Sequence, residues 1–193
     1  MEQIIGLTGP SGVGKGFVKK AILTAFPGRL IEPIVVTTRP KRSDDGPDRL
    51  AGISEEEFEL MTNRNEIIFA HTPFGNNYKY GFMRSSFRTG APALTEVHVD
   101  NVIRFKDEFR SSLYLIGIFA SRKYLERNLS DRGTNPNDID VRLSAAQTEI
   151  KKIRSLHSTG QINELVSVGF RNRDRFVNEL IHLVENQIGT DRI

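Results

Sequence analysis

Cysteine and tryptophan are both missing from this chain of 193 residues. Without cysteine there can be no disulfide and no thiolate metal site. Long apolar runs are missing too, and none approaches the ~18 residues that a membrane-crossing helix needs. The opening Met-Glu-Gln lacks the basic stretch and apolar core of a secretory signal, so a cytoplasmic protein is expected. There are no repeats or low-complexity tracts. Nor is there a strong excess of either charge: 27 Lys and Arg against 24 Asp and Glu leave +3. That balance is too weak to indicate nucleic acid, and basic patches interleaved with aromatics are not found. It suits a small anionic ligand. A hydrophobic content of 38% is enough for one sizeable core.

What the chain does have is alternation. "QIIGLT" (3–8) reads as a short buried strand, and "KGFVKKAILTAF" (15–26) has Phe17, Val18, Ala21, Ile22 and Ala25 at helical spacing. "PG" at 27–28 stops that helix. "RLIEPIVVTT" is extended, with Pro33 favouring an edge or irregular strand. The polar stretch 39–52 is expected to be loop. Ser54 and Glu57 form a capping box for the helix "EEEFELMTN". "EIIFAH" reads as a strand, "FGNNYKYG" as a turn-rich segment, and "APALTEVHV" and "SSLYLIGIFA" as two further strands, the second central. A helix "SRKYLERNL", a loop "SDRGTNPNDID", a long amphipathic helix from 141, a strand "INELVSVGF" and a last helix complete the pattern. Strands alternating with helices argue for a parallel sheet covered on both faces, an α/β fold with ligands at the carboxyl ends of the strands.

The loop after the first strand, "GPSGVGK", has glycine at 9 and 14 and lysine at 15, the spacing of a phosphate-binding loop. About one chain of this length in twenty carries that spacing by chance, so the strand before it and the helix after it decide the reading. In that setting Gly9, Pro10, Ser11, Gly12, Val13, Gly14 and Gly16 form a backbone cradle of N–H groups at a helix N-terminus, and Lys15 reaches the outer phosphates. Gly16 stands where a metal-holding hydroxyl is usual. No side chain is therefore expected as a direct metal ligand, and water and phosphates must do that work.

With the loop placed, "VVTTRPKR", "ISEEEFELM", "YGF", "LTEVHVDNV" and "DRGTNPNDIDVRLSAAQTEI" follow in the order found in the guanylate kinase family, which the chain resembles from about residue 4 to 150. The resemblance implies a three-layer P-loop NTPase fold with a parallel sheet and two inserted parts. A core of 1–35, 86–120 and 143–193 is joined by an acceptor-binding subdomain, 36–85, and a LID, 121–142. It implies ATP-dependent phosphoryl transfer to a nucleoside monophosphate, GMP in the family, with Mg²⁺; the partners are small nucleotides, with no nucleic acid or membrane, and the oligomeric state is left open. Matching positions give Lys15, Arg39, Arg132 and Arg142 as catalytic. Thr38, Arg39, Arg42, Tyr80, Glu96 and His98 form the acceptor site, a guanidinium fork suiting a bidentate phosphate clamp.

Departures gather where the family reads the base. Leu50 stands for a tyrosine, Phe69 for the glutamate that reads guanine, Phe82 for a serine or threonine, and His98 for the second acid of a strand end. A slip in the alignment would bring Glu66 to the reading position instead. Phe69 and Phe82 suggest an apolar or stacking wall. Two alternatives stay open: a kinase of this fold with another phosphorylated acceptor, and a non-catalytic module that holds a phosphorylated partner.

Overall fold

The computed structural model describes residues 3–43, 45–72, 77–170 and 172–189. Strand β1 (Ile4–Thr8) is buried along its whole length, as an unbroken apolar run requires when both faces of a sheet are covered. It pairs in parallel with β6 (Ala93–Glu96) and β7 (Leu113–Ala120), and β8 (Glu164–Val168) pairs with β7, giving the order β6-β1-β7-β8.

One face of this sheet is covered by α1 (Lys15–Ala25), α4 (Arg122–Asp131) and α6 (Arg173–Ile188), while α5 (Pro136–Ser158) gives Leu143 and Ala146 to the core of this face and Ile153 to the cluster of the opposite face. Val18 and Ile22 of α1 meet Leu125 and Leu129 of α4, Leu143 of α5 and Leu180 of α6 in a single core with Ile5, Leu7, Ile116 and Ile118. Each such side chain contributes about 1.5–3 kcal/mol by leaving water. On the other face, α3 (Val102–Phe109) brings Val102, Phe105 and Phe109 against Ile4, Leu113 and Leu115.

A second sheet orders β3 (Arg49–Ala51), β2 (Val35–Thr37), β5 (Tyr80–Met83) and β4 (Ile67–His71), mixing a parallel β2–β3 pair with antiparallel β2–β5 and β4–β5 pairs. Helix α2 (Glu55–Asn63) covers it through Phe58, and the Ser54 hydroxyl accepts from the Glu57 N–H as the capping box requires. Ile68, Phe69 and Phe82 of this sheet enter the same cluster as Phe105 and Leu115, so one core joins the two sheets.

Three expectations are corrected. The stretch 39–52 is not all loop: Arg49–Ala51 forms β3, a half-exposed strand held by its pairing with Val35–Thr37 rather than by any apolar pattern of its own. Pro33 does not make β2 an edge strand, because it precedes the strand and β2 lies between β3 and β5. The loop expected over 130–140 ends early. Asn135 caps α5 by accepting from the Asn137 N–H, and Pro136 takes the first helical position, where its missing donor costs nothing. The boundary at 142 thus falls inside a helix. Of the turn-rich segment before Tyr80, residues 74–76 lie outside the described residues, as does Asp44.

Candidate phosphoryl-transfer cleft

The loop between β1 and α1 is shaped by its glycines. Gly12 and Gly14 have φ of 83° and 100°, values that favour glycine. A Cβ on Gly9 would lie 2.6 Å from the carbonyl oxygen of Ile118, so nothing larger fits there. Asn128 of α4 donates to the Gly12 carbonyl (2.8 Å) and fixes the loop from outside. Val13 turns its side chain into the core, leaving only its backbone to the loop. Lys15 folds back under the loop and donates to the carbonyls of Gly9 (2.6 Å) and Pro10 (3.2 Å). Burial lowers its ammonium pKa. Glu96 and Glu149 oppose that shift, and Arg132 adds to it.

Two cavities open beside this lysine. The larger, about 550 Å³, is lined on one side by Gly9–Ser11, Gly14 and Gly16 and on the other by Arg39, Arg42, Arg132, Asp138, Arg142 and Glu149. Arg142 donates from Nη1 to the Ser11 hydroxyl (3.2 Å). Asp138, Arg142, Ala145 and Glu149 follow one another at helical spacing on α5, which is why one face of that helix walls the cleft. Asp140 faces elsewhere, towards Arg122 at 3.6 Å.

The smaller cavity, about 270 Å³, continues from the first through Gly9, Lys15, Glu96 and His98. Its walls are Val35, Tyr80, Gly81, Phe82 and Val97, with Lys19, Glu32, Arg49 and His71. Lys19 bridges Glu32 and Glu96 (3.7 Å to the latter). Burial raises the Glu32 carboxyl pKa, and the Lys19 hydrogen bond pulls it back.

Arg39 is not a solvated loop residue, being only 5% exposed. It donates to the Pro40 carbonyl (2.7 Å) and to Asp45 (2.6 Å). Asp45 also accepts from the Arg42 backbone N–H (2.7 Å) and faces Arg49 Nε at 3.3 Å. Its carboxyl pKa is lowered, first by the Arg42 N–H and then by the Arg39 guanidinium. Thr38 lines neither cavity: its hydroxyl accepts from the Lys79 N–H (3.0 Å) and ties β2 to the start of β5.

The base-reading wall differs from the expectation. Phe69 does not face the cleft. It is 5% exposed and stacks on Phe105 with centroids 3.8 Å apart. The cause is local: the β4–β5 register shifts between Ile68 and His71, and Phe69 adopts φ 57°. Bulges re-aim side chains in this way. The residue that reaches the cavity is His71, two positions further on. Phe82 does line the cavity, so an apolar wall is right for one phenylalanine and wrong for the other. Glu66 is exposed and lines neither cavity, which removes the slipped alignment.

Sequence reasoning missed Lys19, Glu32, Arg49, His71, Asp45 and Glu149. Lys19, one helical turn beyond Lys15, and Glu149, two turns beyond Arg142, had a signal in their spacing. Arg49 and Asp45 had none, since their place depends on β3.

A glycine loop with its lysine at the end of a parallel strand, facing a clamp of arginines across a shared cleft, defines a P-loop protein that handles phosphate esters. A family model described as guanylate kinase matches residues 1–164. Curated relatives include the guanylate kinase of Bacillus anthracis, 34% identical over 76% of this chain and 74% of its own length. Another is that of Prochlorococcus marinus subsp. pastoris, 32% identical over 78% of this chain and 83% of its own. The chain belongs to the guanylate kinase family. The crystal structure of guanylate kinase from Anaplasma phagocytophilum shares the fold, with a TM-score of 0.69 and 21% identity over 97% of this chain and 84% of that one.

Proposed function

We propose that this chain transfers the γ-phosphoryl group of ATP to the phosphate of GMP, forming ADP and GDP. The observation that carries the reading is the single cleft in which the glycine loop and the Arg39–Arg42–Tyr80 side share Gly9, Lys15, Glu96 and His98. A cavity for phosphate-partner binding alone has no need of a donor loop on its opposite wall.

The loop N–H groups and the N-terminus of α1 hold the donor phosphates. Lys15 exchanges the Gly9 and Pro10 carbonyls for the outer phosphate oxygens. Arg39, Arg42 and Tyr80 hold the acceptor phosphate. One of its oxygens attacks the γ-phosphorus as the bond from that phosphorus to the β–γ bridging oxygen breaks. The attacking oxygen is already ionised, so no general base is needed. Arg132 and Arg142, exposed at the cleft mouth, come over the transferring group and neutralise its charge. In this reading 36–85 carries the acceptor and 121–142 closes over the cleft, excluding water that would otherwise hydrolyse ATP. The setting we assign is the cytoplasm; among the described residues no helix is long and apolar enough to cross a membrane.

The residues present fit Mg²⁺. Glu96 Oε1 lies 3.6 Å from where a Cβ on Gly16 would be, so a carboxylate stands beside the place of the missing hydroxyl. Mg²⁺ is commonly held by one or two carboxylates, several waters and substrate phosphates. Glu96, through water, would hold it, and the ion would supply charge neutralisation between donor phosphates.

The test is ADP formation from Mg-ATP with GMP and with each other nucleoside monophosphate. GMP-dependent turnover is expected. Turnover only with some other acceptor, or none with any, overturns the reading.

A further inference from the structure

Resting on the kinase reading above, we propose that His71 and His98 form the edge of the acceptor cavity that meets the N1–C2 side of the purine, so that the site accepts IMP alongside GMP. The two nucleotides differ only in the 2-amino group of guanine. A site rejects the base lacking that group when it holds a buried acceptor that the group alone can satisfy.

The described residues of this wall supply little of that kind. The bulge at Ile68–His71 takes position 69 into the core and turns His71 to the cavity. The ring of His71 stands 5.4 Å from that of His98 and 6.3 Å from that of Tyr80. His71 Nδ1 lies 3.0 Å from the Phe69 carbonyl, to which it donates in one tautomer, and 3.1 Å from the Asn101 amide nitrogen, from which it accepts in the other; only in the first is Nε2 left as an acceptor. Asn101 is itself held by Arg104 at its Oδ1 (3.1 Å). His98 Nδ1 accepts from the Asp100 N–H, so its Nε2 carries the proton of the neutral ring and turns towards Glu149 at 3.8 Å. At most one imidazole acceptor, Nε2 of His71, then faces the base. Val35, Phe82 and Val97 present only apolar surface, and Thr95 adds a single buried hydroxyl. The carboxylates that line the cavity, Glu32 and Glu96, are both drawn to Lys19. Burial lowers the pKa of both imidazoles, which keeps each neutral and limited to one donor and one acceptor.

The experiment compares kcat/KM for GMP and IMP in the full chain with saturating Mg-ATP at pH 7.5. A site that pairs the amino group in a buried polar contact rejects its absence by about 10⁴-fold or more, whereas a loose fit gives about 10–200-fold at most. A GMP preference below about 200-fold is expected here, and a preference at or above that value overturns the proposal. His98→Asp, which returns a carboxylate to the strand end, should raise the preference at least about tenfold. An unchanged preference in a folded, active His98→Asp variant overturns the assignment of His98. Failure of both nucleotides to react overturns the kinase reading itself, a result distinct from GMP turnover with IMP rejected.

Discussion

Phe69→Glu places a carboxylate at the position where the family alignment expects one, yet it is expected to cost stability and bring no gain in base reading. The Phe69 ring is 5% exposed, stacked on Phe105 at 3.8 Å and edge-on to Phe109 at 5.7 Å. Deleting a buried phenylalanine side chain costs about 3–5 kcal/mol through lost transfer energy and the cavity left behind. A carboxylate in the same place must also be dehydrated. The one cation seen over the ring among the described residues is Arg104, 5.7 Å from the centroid and already bonded to the Ala70 carbonyl and Asn101. A total of at least ~4 kcal/mol follows. For a chain of this size that lowers Tm by about 8–16 °C. Thermal unfolding followed by circular dichroism at pH 7.5 measures it, with the GMP-to-IMP ratio taken on the same preparation. A Tm within about 3 °C of wild type, together with a sharpened preference for GMP, would show that position 69 faces the cleft and would refute the argument.

Other outcomes follow from the same geometry. Lys15→Ala should lower kcat by at least about 10²-fold, the scale of losing one preorganised charge-stabilising donor, with little change in Tm; retained activity removes Lys15 from the site. Asp45→Asn should raise the GMP KM more than it lowers kcat, because Asp45 holds Arg39 and the Arg42 backbone without lining either cavity; an unchanged KM removes Asp45 as a positioning residue. Burial lowers the pKa of His71 and His98 below their ordinary 6.5. As pH falls through 6.5 the unfolded chain takes up these protons first, so the histidines make stability decline with acidification. Glu32 and Glu149, raised above 4.5 by burial, act in the opposite sense, since the folded chain takes up their protons first. The histidine part is therefore read as a difference: His71→Gln/His98→Gln should lose less Tm than wild type between pH 7.5 and 5.5. Parallel curves refute it.

Which features were legible in the sequence follows from where their causes lie. The glycine loop was legible because its requirements are local: glycines at positive φ, a preceding apolar strand, a helix opening at Lys15. The capping box at Ser54 was legible for the same reason. The start of α5 was available in Asn135-Pro136 and was obscured by the loop-like composition around it. Strand β3 was not available, since three half-exposed residues form a strand only because β2 lies beside them. The fate of Phe69 was the least accessible. Alignment placed it at a reading position, but its direction is set by a bulge and by the Phe105 ring, 36 residues further along the chain. Arg39 and Arg42 were found by motif, whereas the acid that holds them, Asp45, depends on the turn leading into β3.

Helix α5, 23 residues long, is built to act as a lever in the closure proposed above. Its amino end carries Arg142 against Ser11, its middle carries Glu149 opposite His98, and Ile153 is fully buried in the core that joins the two sheets. At 1.5 Å per residue, Asn135 stands about 27 Å from Ile153 along the helix axis. A tilt of about 10° pivoting at Ile153 sweeps that end through roughly 5 Å and the Glu149 level through only about 1 Å. In that closure the helix would thus gear a swing of about 3 Å at Arg142, over the phosphates, down to a fine adjustment beside the base.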